Sequence, residues 1–201
     1  MKLGPRYKIA KRLGPIFEKT QTRQFALSKE RSAKNKKGGR RGGSDYSRQL
    51  IEKQKMRLTY GLSEKQFSSY VKKALERKTP SVTLFKLLES RLDSVIYRMG
   101  LSGTRRMARQ MVSHGHFTVN GVRTKVPSHR IASGDAISVR DGSRGSSMFG
   151  TVIVEKLKEF KSPSWVQFDI GSMEGKMATE PAFSEQDAAA DIGAVFEYYT
   201  R

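Results

Sequence analysis

Positive charge, unevenly placed, constrains this chain more than any other feature of its sequence. Residues 1–57 carry 18 lysines and arginines against 4 acids, residues 58–140 carry 15 against 5, and residues 141–201 carry 6 against 10. The formal net charge is +20 at pH 7. A folded body with that much uncompensated charge repels itself unless a polyanion neutralises it. Nucleic acid is the commonest such polyanion, with an acidic membrane surface second. The basic front and acidic back suggest one face turned to nucleic acid and another turned to protein or solvent.

The rest of the composition narrows the choice. At 36% hydrophobic residues in a chain of 201, there is apolar material for one or two modest cores. No stretch approaches the roughly eighteen apolar residues of a membrane span, and Met1 to Pro15 lacks the apolar run and cleavage site of a signal peptide. The expectation is a cytoplasmic protein. There are no cysteines, which removes disulfides and thiolate metal sites.

Residues 1–44 are poor in apolar side chains, and Lys34 to Gly43 reads K-N-K-K-G-G-R-R-G-G. Such a segment cannot bury enough apolar surface to offset the entropy of ordering its backbone, but counterion release on a polyphosphate can supply that free energy. It reads as a basic arm ordered by RNA. Asp45 is placed to cap a helix from Tyr46, and Ser63 with Gln66 forms a capping box for a helix to about Arg77. Phe67, Tyr70, Val71, Ala74 and Leu75 recur there at helical spacing. Beyond Pro80, a helical run from Val82 to Met99 breaks near Ser90 and stops at Gly100.

Residues 101–140 carry the clearest pattern. Thr104 can cap a helix from Arg105 to about His114, with Met107, Ala108, Met111 and Val112 on one face and Arg105, Arg106, Arg109 and Gln110 on the other. Phe117-Thr118-Val119 reads as a strand, and Asn120-Gly121 is a strong hairpin turn with a return through Val122 to Val126. Gly134-Asp135 turns into a strand at Ala136–Val139. Beyond Arg140 we expect a polar loop from Asp141 to Gly150, a helix near Thr151 to Lys161, and strands at Trp165–Asp169 and Val195–Tyr199. No internal repeat is present. The fold class is therefore α+β.

Several of these residues resemble a known family. Arg91-Leu92-Asp93, Arg105-Arg106-Met107-Ala108-Arg109-Gln110, His114-Gly115-His116 and Val119-Asn120-Gly121 resemble the small RNA-binding module named after ribosomal protein S-four. The flanks are similar to the full-length ribosomal protein: Ser44-Asp45-Tyr46, Glu52-Lys53-Gln54-Lys55, Tyr60-Gly61 with Glu64 and Phe67, Met173-Glu174-Gly175-Lys176, and Glu197-Tyr198-Tyr199. The module by itself is moderately specific; module and flanks in this order are highly specific.

The resemblance implies a basic arm at 1–44, a helical domain at 45–90, the module of two helices and a small sheet inserted at 91–153, and a C-terminal segment at 154–201 returning to the helical domain. It also implies a structural, non-enzymatic constituent of the small ribosomal subunit. Such a protein binds ribosomal RNA early, at a multi-helix junction of the 5′ region, and helps assemble the particle. It lies by the messenger-RNA entry channel beside ribosomal proteins S-five and S-three, with a role in translational accuracy. Some members repress translation of their own operon. Many members carry a four-cysteine zinc knuckle near the N-terminus; here Tyr7 and Ala10 stand about where its first two cysteines would be, so no zinc is expected.

Arg105, Arg106 and Arg109 lead the expected RNA contacts, because a guanidinium's planar donor fork matches paired phosphate oxygens. The wider set comprises Lys8, Lys11, Arg12, Lys36, Lys37, Arg40, Arg41, Tyr46, Arg48, Lys53, Lys55, Arg57, Arg91, Gln110, His114, His116 and Asn120. Arg40 and Arg41 fall near family residues that face messenger RNA. The glycine-rich run around them lacks the Gly-Lys-Ser/Thr of a nucleotide-hydrolase loop and suits a phosphate-tracking arm. His114 and His116 are too few for a closed zinc site; the only other histidine is His129. Asp93 reads as a structural acid that holds the module's arginines. No catalytic constellation stands out. An RNA-modifying enzyme carrying the same module would need a larger catalytic domain than the roughly sixty residues that follow it. A DNA compactor is the second alternative, and comparing junction RNA with duplex DNA at matched salt separates the two.

Overall fold

The computed structural model describes residues 4–14, 16, 23–34, 44–146, 149, 157, 160–184 and 187–201. They form an α+β protein in two compact units, one of residues 1–81 with 184–201 and the other of residues 82–183.

The first unit is helical. Helices α1 (Arg6–Leu13) and α2 (Arg23–Lys34) lie within the stretch whose sequence shows little apolar content. α1 turns Ala10 and Leu13 inward and packs on α3 (Asp45–Thr59), and the Tyr7 ring lies 5.4 Å from that of Phe25 on α2. Few apolar residues suffice because they fall at helical spacing. The cap of α3 is Ser44, whose hydroxyl accepts from the Ser47 backbone N–H, and not Asp45; Asp45 occupies the first turn, where its charge complements the helix dipole. Ser63 and Gln66 form the expected capping box of α4 (Glu64–Leu75), and Phe67, Val71 and Ala74 are its buried face.

The last element, α9 (Ile192–Thr200), packs on α3 and α4. The expected strand at Val195–Tyr199 is thus a helix. Its β-branched and aromatic residues favour a strand locally, but Asp191 caps the segment by accepting from the Ala194 N–H, and Ile192 and Val195 are buried one turn apart. Tertiary burial overrides the local preference.

In the second unit, α5 (Pro80–Glu89) and α6 (Leu92–Arg98) divide the expected helical run at Ser90-Arg91, and α7 (Arg105–His114) follows, capped by Thr104. The antiparallel sheet runs in the order β2 (Val122–Arg123), β1 (Phe117–Val119), β3 (Ala136–Val139), β5 (Glu174–Met177), β4 (Val166–Asp169). Asn120 and Gly121 both have positive φ, 50° and 79°, which is the backbone of a two-residue hairpin turn. The return strand is shorter than expected, since pairing ends after Thr118 meets Arg123.

Two further elements were not expected from the sequence. A short helix, α8 (Asp141–Arg144), opens the polar loop, and β5 bridges β3 to β4. Strand β5 is hidden in Glu-Gly-Lys-Met because Gly175 lies where a Cβ would sit 2.7 Å from the Gln167 carbonyl oxygen, so close backbone approach decides the residue there and not β propensity. Of the helix expected near 151–161, only residues 157, 160 and 161 are described; the remainder lies outside the described residues. The core of this unit gathers Leu92, Val95, Ile96 and Met99 of α6 with its C-cap, Ala108, Met111 and Val112 of α7, and the inward residues of the sheet, among them Phe117, Ile137, Val139 and Val166.

Candidate nucleic-acid interface

Helix α7 divides its polar side chains into two rows. Met111, Val112 and Ala108 face the core, which fixes the rotation of the helix. Arg105 and Arg109, four residues apart, then fall beside two buried carboxylates. Glu89 is fully buried; its Oε1 accepts from Arg105 Nη2 at 2.9 Å, and Arg98 holds both its oxygens at 2.9 and 3.0 Å. Asp93, 4% exposed, accepts from Arg109 Nε at 3.0 Å and from Arg91 through Nε at 2.9 Å and Nη2 at 2.7 Å. The Arg105 guanidinium also lies 4.6 Å from the centre of the Tyr97 ring. These arginines brace α5, α6 and α7 together. Removing either acid would leave buried guanidinium charge uncompensated.

The second row, Arg106, Gln110, Ser113 and His114, is exposed. The exposure continues through Asn120, Gly121, Val122, Arg123, Lys125 and Val126 of the hairpin and through Ser128, His129 and Arg130 beyond it. Arg123 folds back on the helix: its Nε donates to the Gly115 carbonyl at 3.1 Å and its Nη2 to that of His114 at 3.2 Å. A cation at the C-terminus of α7 also complements the helix dipole. Gly115, at φ +73°, suits this turn because L side chains rarely adopt that backbone.

The structure sorts the expected contacts. Arg106, Gln110 and His114 lie outward, and His116 is partly exposed. Arg91 is 2% exposed and bound to Asp93, so no phosphate can reach it; its role is to position the module's acids and arginines. Lys53 is likewise withdrawn, at 5% exposure, with Nζ donating to Glu64 at 2.9 Å and lying 4.3 Å from the centre of the Tyr198 ring. Asn120 is exposed, but its amide serves the hairpin, donating to Asp135 Oδ1 and accepting from the Ala136 N–H, both at 2.9 Å. Arg105 and Arg109 keep 14% and 27% of their side-chain surface, so their exposed edges remain within reach of a ligand while their guanidiniums hold the acids.

On the helical unit, Lys8, Lys11, Arg12 and Arg48 are exposed, and Lys55 and Arg57 are partly so. Tyr46 is 47% exposed and stacks on Tyr198 at 5.7 Å. Lys36, Lys37, Arg40 and Arg41 lie outside the described residues. Sequence reasoning missed Arg123, Lys125, His129, Arg130 and Arg140. Their signal was the run of cations alternating with small and apolar residues after the Asn-Gly turn.

The zinc of many S-four proteins has no donor set here. Residues 1–44 contain neither cysteine nor histidine. Tyr7 and Ala10 instead make apolar contacts, Tyr7 against Phe25 and Ala10 buried on the inner side of α1. These residues do not fit the metal.

Comparison with known proteins accounts for almost every residue. The family model described as the Ribosomal protein S4/S9 N-terminal domain matches residues 2–90, and the S4 domain model matches residues 90–137. The small ribosomal subunit protein uS4 of Lactiplantibacillus plantarum is 40% identical, over 98% of this chain and 97% of the relative. That of Chromobacterium violaceum is 41% identical over 99% of this chain and 98% of the relative. The chain therefore belongs to the uS4 family of small ribosomal subunit proteins, structural components of the ribosome and not enzymes.

Proposed function

We propose that the protein binds small-subunit ribosomal RNA through the outer row of α7 and the adjoining hairpin. One observation carries this reading: Arg106, Arg123, Lys125 and Arg130 are exposed on one module and form no ion pair among the described residues, whereas the module's buried acids are already matched by arginine. Cations left without carboxylate partners on a protein of this charge are placed for phosphate. Arg105 and Arg109 add their exposed edges, and Lys8, Lys11, Arg12, Arg48, Lys55 and Arg57 extend the contact over the helical unit. Tyr46 offers a ring for a base to stack on. Lys36, Lys37, Arg40 and Arg41 add four cations for the same polyanion.

Family membership supports a finer reading: a cytoplasmic ribosomal protein that binds early at a multi-helix junction of the 5′ domain and promotes assembly. It lies by the messenger-RNA entry channel next to ribosomal proteins S-five and S-three, and so influences translational accuracy. The test is filter binding and footprinting on purified small-subunit RNA. Arg106→Ala with Lys125→Ala should weaken binding and lower the magnitude of the log–log salt slope by about 0.9 for each phosphate no longer neutralised. Their folding stability should change by less than about 0.5 kcal/mol each. Arg105→Ala with Arg109→Ala should also weaken binding, with an added loss of stability that Arg106→Ala does not share. An unchanged salt slope, or equal affinity for duplex DNA, would sink the assignment.

A further inference from the structure

His114 ends α7 and His116 leads into β1, and their rings lie 5.9 Å apart. The His116 ring is edge-on to Phe149 at 5.9 Å, and its Nδ1 meets the buried Ser143 hydroxyl at 3.0 Å. That bond fixes the ring and leaves Nε2 without a partner among the described residues. Arg123 lies against the carbonyls of His114 and Gly115, and the Arg140 backbone N–H donates to the His116 carbonyl at 2.9 Å. Arg140 Nε is buried with no hydrogen-bond partner among the described residues.

Among the described residues, no carboxylate forms an ion pair with His114, His116, Arg123 or Arg140. The charges acting on His116 come from His114 on α7, Arg140 before α8 and Arg123 on β2, and all are positive. Among the described acids, Asp141 and the sheet residue Glu174 are engaged by Arg144 at 3.3 and 3.9 Å, and Asp135 accepts from the Asn120 amide at 2.9 Å. Burial of the ring, reinforced by His114, Arg140 and Arg123, holds the His116 imidazole below its ordinary pKa of 6.5.

We propose that His114, His116, Arg123 and Arg140 form a proton-linked oxyanion seat, which takes one phosphate of the bound RNA together with a proton on His116. An anion on the open side of this cluster reverses the local field, supplies an acceptor for the guanidiniums and favours the imidazolium, which can then donate from Nε2. Binding therefore takes up a proton, and by linkage affinity rises as pH falls. The inference rests on the RNA-binding reading above and adds a pH dependence that the arginines and lysines of the interface cannot produce.

The experiment measures the affinity of the full chain for a small-subunit RNA junction fragment at pH 8 and pH 6, at fixed salt. It also follows the imidazole titrations of His114, His116 and His129 by NMR, free and bound. Affinity should rise roughly three- to tenfold towards pH 6, with the His116 titration moving upward on binding. His116→Gln should flatten the dependence of affinity on pH. Sulfate, whose charge is constant over this range, identifies the source: an upward shift with sulfate alone shows a seat for any oxyanion, and a shift with RNA only shows a phosphate held in place by the RNA. Either outcome supports the proposal. RNA binding of equal strength at both pH values, with an unmoved His116 titration, overturns the seat and leaves the RNA-binding reading standing. Absence of RNA binding at both pH values defeats both.

Discussion

The two units each contain an ionic web, and the webs differ in depth. In the sheet-bearing unit, Glu89 and Asp93 are almost wholly withdrawn from water and share four arginines. In the helical unit, Lys53 and Arg57 share Glu64, which also accepts from the Tyr199 hydroxyl at 2.7 Å, and Glu64 keeps 47% of its side-chain exposure. In the buried web every charge depends on every other, because removing one partner strands its neighbours in a poorly solvated site. In the other web, water reaches the Glu64 carboxylate, although Lys53 beside it is buried. The first is a brace that sets where α7 presents its outer row. The second is a latch that holds α9 to α3 and α4.

The contrast between the webs would break first at Asp93. Asp93→Ala should destabilise the sheet-bearing unit by about 3–5 kcal/mol, since the buried Arg91 loses the carboxylate that holds it. Trp165, the single tryptophan and a core residue of that unit, reports the loss by fluorescence in urea. Glu64→Ala in the helical unit should cost less, about 1–3 kcal/mol, because the buried Lys53 loses its acceptor while water can enter where the half-exposed carboxylate stood. Equal costs would show that burial does not separate the two webs. Tyr199→Phe comes next: removal of one hydroxyl that donates to Glu64 should cost about 0.5–1.5 kcal/mol, confined to amide-exchange protection in α3, α4 and α9.

The smallest effect is a pH window for the latch. Burial raises the Glu64 pKa, but the hydrogen bonds from Tyr199 and Lys53, with the charges of Lys53 and Arg57, outweigh it and hold the carboxyl below 4.5. A depressed carboxylate contributes stability above its unfolded pKa and loses it as pH falls through the folded value. Burial, with the Glu64 bond and charge, raises the Tyr199 hydroxyl well above its ordinary 10.0. That contribution is complete below pH 10 and fades as the solution becomes more alkaline. Protection of α9 amides should therefore weaken at both extremes, acid and strongly alkaline. A flat profile would remove Glu64 and Tyr199 from the latch.

Local signals in the sequence located most of the module. Thr104, the methionine face of α7, Asn120-Gly121 and the Ala136–Val139 strand each depend on neighbours within a few residues, and each is found in place. The reading of Asp93 as an acid that holds the module's arginines is met by bonds to Arg91 and Arg109. What the sequence hid was settled across long separations. The β-prone Val195–Tyr199 became helix on meeting α3 and α4, and β5 formed because Gly175 admits the Gln167 backbone. Arg91 and Lys53 look like surface cations until their partners, Asp93 and Glu64, are seen to draw them inward. Charge alone does not tell a brace from a contact; burial does.

Because residues 184–201 complete the unit begun by residues 1–81, a nascent polypeptide exposes the Phe67 side of α4 while roughly a hundred intervening residues are made. At ordinary elongation speeds that interval is roughly five to twenty seconds. During it the sheet-bearing unit, whose residues are contiguous, can fold first, and the earlier-synthesised helices wait as an open cradle for Tyr199. The unit begun first in synthesis is thus the one finished last.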